Sequence, residues 1–115
     1  MAENVEDGQK EVHQLVNQFQ MLQQQLQGVM IQKESMRMQQ SEIDRALEEI
    51  KGTKQEVAYK ITGAVMVSKP VKELQKDLEE TKEAAELRMQ SLKKAEDRIS
   101  GQLRELQEKL KKFVK

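Results

Sequence analysis

Two long runs of apolar residues at alternating three- and four-residue spacing dominate the chain. The first is Val12, Leu15, Phe19, Leu22, Leu26, Val29, Lys33, Met36, Gln40, Ile43, Leu47 and Ile50. The alternation is unbroken and ten of the twelve positions are apolar, so it reads as the a/d seam of a coiled-coil helix held for more than five heptads. Lys33 and Gln40 interrupt the seam, and polar seam residues cost stability while fixing register or partner. Lys51 in the last turn and Gly52 after it predict a helix over about residues 9–51 that closes on a left-handed glycine cap.

The period then changes. Val57-Ala58-Tyr59-Lys60-Ile61 alternates with period two and is rich in β-branched and aromatic residues; Thr62-Gly63-Ala64 supplies a turn; Val65-Met66-Val67 is a second short strand. A β-hairpin is predicted over about residues 56–67. A three-residue loop would put Val57, Tyr59, Ile61, Val65 and Val67 on one face, whereas a two-residue loop would spread the apolar residues over both. In either register the hairpin carries apolar surface it cannot cover, and an isolated two-stranded sheet is marginal in water and open at both edges.

Ser68-Lys69-Pro70 opens a second helix, predicted over about residues 69–114, with Ser68 or Lys69 as cap, Pro70 in the first turn and Glu73 and Asp77 complementing the dipole. Its seam is Val71, Leu74, Leu78, Thr81, Ala85, Arg88, Leu92, Ala95, Ile99, Leu103, Leu106, Leu110 and Phe113. Two fours adjoin at Ala95–Ile99–Leu103, a stutter that locally unwinds a coiled coil, and Gly101 lies inside it. The expected fold is mainly α, one domain over residues 1–115: an antiparallel two-helix coiled coil with a single β-hairpin between the helices. Pairing Ile50 with Val71 would bring Leu15 beside Leu106 and Phe19 beside Leu103, with both termini at the end opposite the hairpin.

Composition supports an elongated chain. Of 115 residues 37% are apolar, 35% are charged and 16 are Gln, and the only aromatics are Phe19, Tyr59 and Phe113, too few for a compact core. There is no Cys, which excludes disulfides, zinc–thiolate sites and thiol nucleophiles, and the one histidine, His13, sits between seam positions. No apolar run approaches the ~20 residues that span a bilayer, and MAENVEDGQK lacks the basic start and apolar stretch of a secretory signal. A soluble cytoplasmic protein is expected. Net charge is zero, distributed as −4 over residues 1–51, +2 over 52–70 and +2 over 71–115. Nucleic-acid binders usually carry a basic excess and stacking aromatics, so neither nucleic acid nor membrane is an expected partner. Lys109, Lys111, Lys112 and Lys115 read first as a solvated helix end that complements the dipole, and second as an electrostatic docking tail.

No chemistry-bearing constellation emerges. There is no Gly-rich phosphate loop and no ligand cluster at metal spacing, and pairs such as Glu48–Glu49 and Glu79–Glu80 are ordinary solvated carboxylates on a charged coiled coil. No cofactor, metal or enzymatic activity is expected. The informative features are surfaces. Residues 12–40 carry only Lys33, Glu34 and Arg37 as formal charges, against 22 charges in residues 71–115. Val16, Met21, Met30, Ile31 and Met38 lie off the first seam. Either they widen the buried stripe toward the second helix or an oligomer partner, or they offer other chains a weakly charged surface that polarizable Met suits to many shapes. Likewise Val12, Leu15, Phe19 and Leu22 against Leu103, Leu106, Leu110 and Phe113 are either core or, if the helix ends splay, an apolar pincer.

The Gln-rich stretch Gln18-Phe19-Gln20-Met21-Leu22-Gln23-Gln24-Gln25-Leu26, the ending Glu42-Ile43-Asp44-Arg45-Ala46-Leu47-Glu48-Glu49-Ile50 and the hairpin Val57–Val67 together resemble the beta-type subunit of prefoldin. The resemblance covers nearly the whole chain. The hairpin is its specific part, since the heptads alone would match many coiled coils; that there is one hairpin matters because alpha-type subunits of the family carry two. It implies a molecular chaperone that acts without ATP. Two alpha-type and four beta-type chains would assemble through their hairpins into a hetero-hexamer whose arms hold non-native client proteins at their tips and pass them to a group II chaperonin. By position, Val57, Tyr59, Ile61, Val65 and Val67 match the assembly element, and Val12, Leu15, Val16, Phe19, Leu103, Leu106, Leu110 and Phe113 match the client-binding tips. The alternatives are a coiled-coil adaptor without chaperone activity, against which the mid-chain hairpin speaks, and a nucleic-acid or membrane-surface binder using the Lys-rich end.

Overall fold

The computed structural model describes the backbone of residues 2–114 and the side chains of residues 8–113. Helix α1 spans Ala2–Gly52, strand β1 Val57–Thr62, strand β2 Val65–Pro70 and helix α2 Val71–Val114. The fold is mainly α, two long helices with one antiparallel hairpin between them. Neither helix is interrupted by proline, and both are rich in Leu, Met, Gln, Glu and Lys, the residues that lose least in a helix. Helix α1 begins well before residue 9. Gly8 does not stop it.

The other boundaries also differ from the sequence expectation. Gly52 is the last helical residue and has no positive φ; the helix closes without a left-handed cap, by a Thr53 N–H donating to Ile50 O at 3.3 Å, a tightened last turn. Pro70 is the last residue of β2, not a first-turn helical residue. The ladder alternates bonded and non-bonded pairs from the turn outward, so Val57↔Pro70 is a non-bonded pair and the missing proline N–H costs no rung. The next rung is made by the Val71 N–H, which donates to Glu56 O at 2.8 Å as α2 begins.

Two compact units make up the chain, each with a stretch of both helices. One consists of Met1–Lys33 with Ser91–Lys115; its core is Leu15, Leu92, Ile99 and Leu106. The other, Glu34–Gln90, contains the hairpin, and its core is Leu47, Leu74 and Ala85. Among the described residues no large side chain is fully buried, so each core is a single stripe. All twelve first-seam positions are buried or half-buried, and of the other described α1 residues only Gly8 and Ala46 join them. The second seam departs from its reading. Thr81 and Arg88 are exposed, and Lys82 and Met89 are half-buried instead. Met89 buries better than its charged neighbour, and Lys82 lays its stem along the stripe while its ammonium reaches Asp44 Oδ1 at 3.0 Å. Adjoining fours therefore fall at Leu74–Leu78–Lys82 as well as at Ala95–Ile99–Leu103, and Phe113 at the end of the seam is exposed. The Thr81 hydroxyl turns back to donate to Asp77 O at 2.9 Å.

Candidate functional site

In the hairpin unit, the turn decides which side chains share a face. Gly63 has φ +61° and Ala64 does not leave the ordinary region, the pattern of a two-residue type II′ turn with glycine first. The register that follows pairs Thr62↔Val65, Ile61↔Met66, Lys60↔Val67 and Tyr59↔Ser68. The five-residue apolar face is therefore not formed. Side chains directly opposite share a face, so Val57, Tyr59, Ile61 and Met66 lie on one side, and Val65 and Val67 lie on the other with Lys60 and Thr62. Met66 joins the assembly candidates although sequence reading passed over it. The glycine at the first central position of a two-residue loop was the signal that could have found it.

Every large apolar residue of this hairpin is open to solvent, from 42% exposed at Val67 to 72% at Ile61. Strand β1 borders a groove of about 490 Å³ that is closed on its other side by Ile50, Val71, Leu74 and Leu78. The hairpin root is fastened by an ion pair from Lys69 Nζ to Asp77 Oδ2 at 3.2 Å. Nearby, the hydrogen bond and the charge of the Asp44 carboxylate hold the Lys82 ammonium above its ordinary pKa of 10.5. The root is thus built, while the two faces and both edges of the sheet are unfinished.

The unit formed by the helix ends presents a different surface. Leu15 and Leu106 are buried; Val12, Phe19, Leu103 and Leu110 are half-buried; Val16 and Phe113 are 37% and 44% exposed. The eight tip candidates thus divide into two that hold the helices together, four that contribute to both seam and surface, and two that face outward. Val12, Val16 and Phe113 line one groove, and Met21 and Leu22 share another with Leu106. Leu106 therefore lies across from Leu22, one heptad beyond the Leu15 expected opposite it. Of the off-seam residues of α1, Val16, Met21, Met30, Ile31 and Met38 are all exposed, so they do not widen the buried stripe within this chain. Lys33, on the seam, forms an ion pair with Glu96, the two side chains being only 15% and 25% exposed. Among the described residues no group of three or more His, Asp or Glu side chains could hold a metal ion, and no helix is long and apolar enough to cross a membrane.

The sequence profile of the family described as "Prefoldin subunit" matches residues 13–115. The chain belongs to the prefoldin subunit family. Among its relatives, prefoldin subunit beta of Archaeoglobus fulgidus is 33% identical over 105 residues, 90% of either chain. That of Pyrococcus furiosus is 34% identical over 101 residues, 87% of this chain and 86% of its own. The crystal structure of the prefoldin beta subunit from Thermococcus strain KS-1 superposes with a TM-score of 0.80 at 29% identity, covering 89% of this chain and 90% of that one. This chain is a prefoldin chaperone subunit of the beta type, and its single hairpin agrees with that type. Prefoldin beta subunits form complexes with other prefoldin subunits.

Proposed function

We propose that the chain works as an ATP-independent, non-enzymatic holdase subunit in the cytoplasm. It assembles through its hairpin with alpha-type subunits and further beta-type copies, two alpha and four beta in all. It holds non-native proteins at the helix ends and passes them to a group II chaperonin. The observation that carries this reading is the hairpin: six large apolar side chains, all exposed, on a two-stranded sheet that cannot be stable alone. Neighbouring hairpins would cover those faces and satisfy the open edges. Oligomerisation would then gather several arms around one client.

At the helix ends, Val16 and Phe113 with half-buried Val12 offer a modest apolar surface that does not require the seam to open. Contacts of this size are individually weak. Several arms engaging one client raise the effective concentration of each further contact, so holding is firm while every single contact releases readily. This suits a subunit that must hand its client on. Leu15 and Leu106, being buried, serve the client surface indirectly, by holding the two helices together.

The test removes the surface without removing the assembly element. Deleting residues 1–18 and 107–115 should abolish suppression of client aggregation while native mass spectrometry still finds the oligomer. Val16→Gln with Phe113→Gln, both exposed and therefore mild for folding, should reduce suppression severalfold. Undiminished protection in both variants would move the client surface away from the helix ends.

A further inference from the structure

The geometry points to a hinge made by Gly28 of α1 and Gly101 of α2, at which the tip of the arm bends or opens while the Lys33–Glu96 ion pair holds the helices together on the hairpin side of it. The pair fixes the level: Lys33 and Glu96 meet across the two helices. Gly28 and Gly101 each lie five residues from that contact toward the tip, about 7.5 Å at 1.5 Å per residue. On the tip side, Gln25 and Gln102 line one groove together. The two glycines are thus bracketed at a common level from both directions.

Neither glycine is required by packing or by backbone conformation. A Cβ added at either would meet nothing within 4 Å, and neither has a positive φ. Alanine would fit at both. Interior glycine instead weakens a helix, by about fivefold in the local opening equilibrium relative to alanine. Gly101 also follows Ser100, and Gly/Ser pairs are among the few places where helices kink sharply. Two helices packed side by side bend only where both yield, so one glycine alone would be splinted by its neighbour. Two at one level are not. The part-buried Lys33–Glu96 contact, a polar break in an otherwise apolar stretch of seam, resists propagation of the opening toward the hairpin.

The role for this hinge rests on the reading of the tip as a client-holding surface: it lets Val12, Val16 and Phe113 adjust their direction to clients of different size. The test uses the assembled oligomer carrying Gly28→Ala, Gly101→Ala or both. Since alanine favours the helix, folding is not at risk. Hydrogen exchange of peptides covering residues 25–31 and 98–104 should slow about tenfold in the double variant, with peptides covering 40–48 unchanged. Because the bend needs both helices, either single substitution should produce most of that slowing in both peptides. The double variant should also need about threefold more oligomer to suppress aggregation of a large unfolded client. Unchanged exchange, or slowing confined to the substituted helix in each single variant, would overturn the hinge. Slowed exchange with unaltered suppression would overturn its role toward clients. Should the unsubstituted oligomer hold no client at all, the holdase reading fails while the exchange experiment still decides the hinge.

Discussion

The hairpin and the seam use the same kinds of residue to opposite ends. Leu47, Leu92, Ile99 and Leu106 are at most 7% exposed, whereas Val57, Tyr59, Ile61 and Met66 are open to water. A helix satisfies its own backbone, so one apolar stripe against a partner stripe completes it. A strand leaves half its backbone groups for a neighbour, and a two-strand sheet has two faces to cover and two edges to pair. The chain therefore contains one element that is nearly finished within itself and one whose apolar faces and edges stay open. The difference lies in the secondary structure that displays the residues, since Val, Ile, Leu and Met serve both.

The sharpest break in this comparison comes from the hairpin. Tyr59→Asp with Ile61→Asp places two charges on the more apolar face, and size exclusion with light scattering should show complete loss of the oligomer while far-UV circular dichroism keeps nearly all of its helix signal. The seam should answer differently. Ile99→Ala removes a side chain that is 4% exposed, and large-to-small core changes cost about 2–5 kcal/mol, so melting falls markedly with assembly retained at low temperature. Gly63→Ala has a smaller effect: an L-residue at φ +61° in the first position of this turn costs about 1–3 kcal/mol, which should weaken assembly without touching the helices. Titrating the oligomer with one chain type in excess measures that loss.

The smallest effect concerns the surface contact of Asp44 and Lys82. The Lys82 pKa is raised in the folded chain, so the stability it adds is fully present below its ordinary value and is lost as pH rises through the raised one. Lys82→Gln should therefore melt slightly lower than the parent near neutrality, where this exposed contact is present, and converge with it as pH rises above 10.5. A deficit that persists undiminished above the raised pKa would mean the Lys82 stem, rather than its charge, carries the contact.

Much of this was legible in the sequence, and the parts that were not have specific causes. Every first-seam position is turned inward, including polar Lys33 and Gln40, because an unbroken 3–4 alternation leaves one solution for a helix face. The second seam was misread at Thr81 and Arg88, where small and charged residues give periodicity little to hold and Met89 and Lys82 one position on take over. The usual positional preferences of glycine and proline do not hold at Gly52 and Pro70. The first is an ordinary helical residue, and the second fits a strand because its pair is one that needs no N–H. The hairpin register turned on the backbone of Gly63, which apolar alternation cannot see, since Ile61 has an apolar partner in either register: Val65 after a three-residue loop, Met66 after two. The level of α2 against α1 near the tip was one heptad off, because seam periodicity is unchanged by a shift of seven.

The central claim, that the hairpin is completed by other prefoldin-type chains, is tested most directly by native mass spectrometry of the complex recovered from the source cell through a tag on this chain. The account predicts a six-chain assembly that includes a longer, two-hairpin partner. It also predicts that the assembly disappears when the tagged chain carries Tyr59→Asp and Ile61→Asp. A homodimer, a complex with a single unrelated protein, or a six-chain assembly indifferent to those substitutions would contradict it.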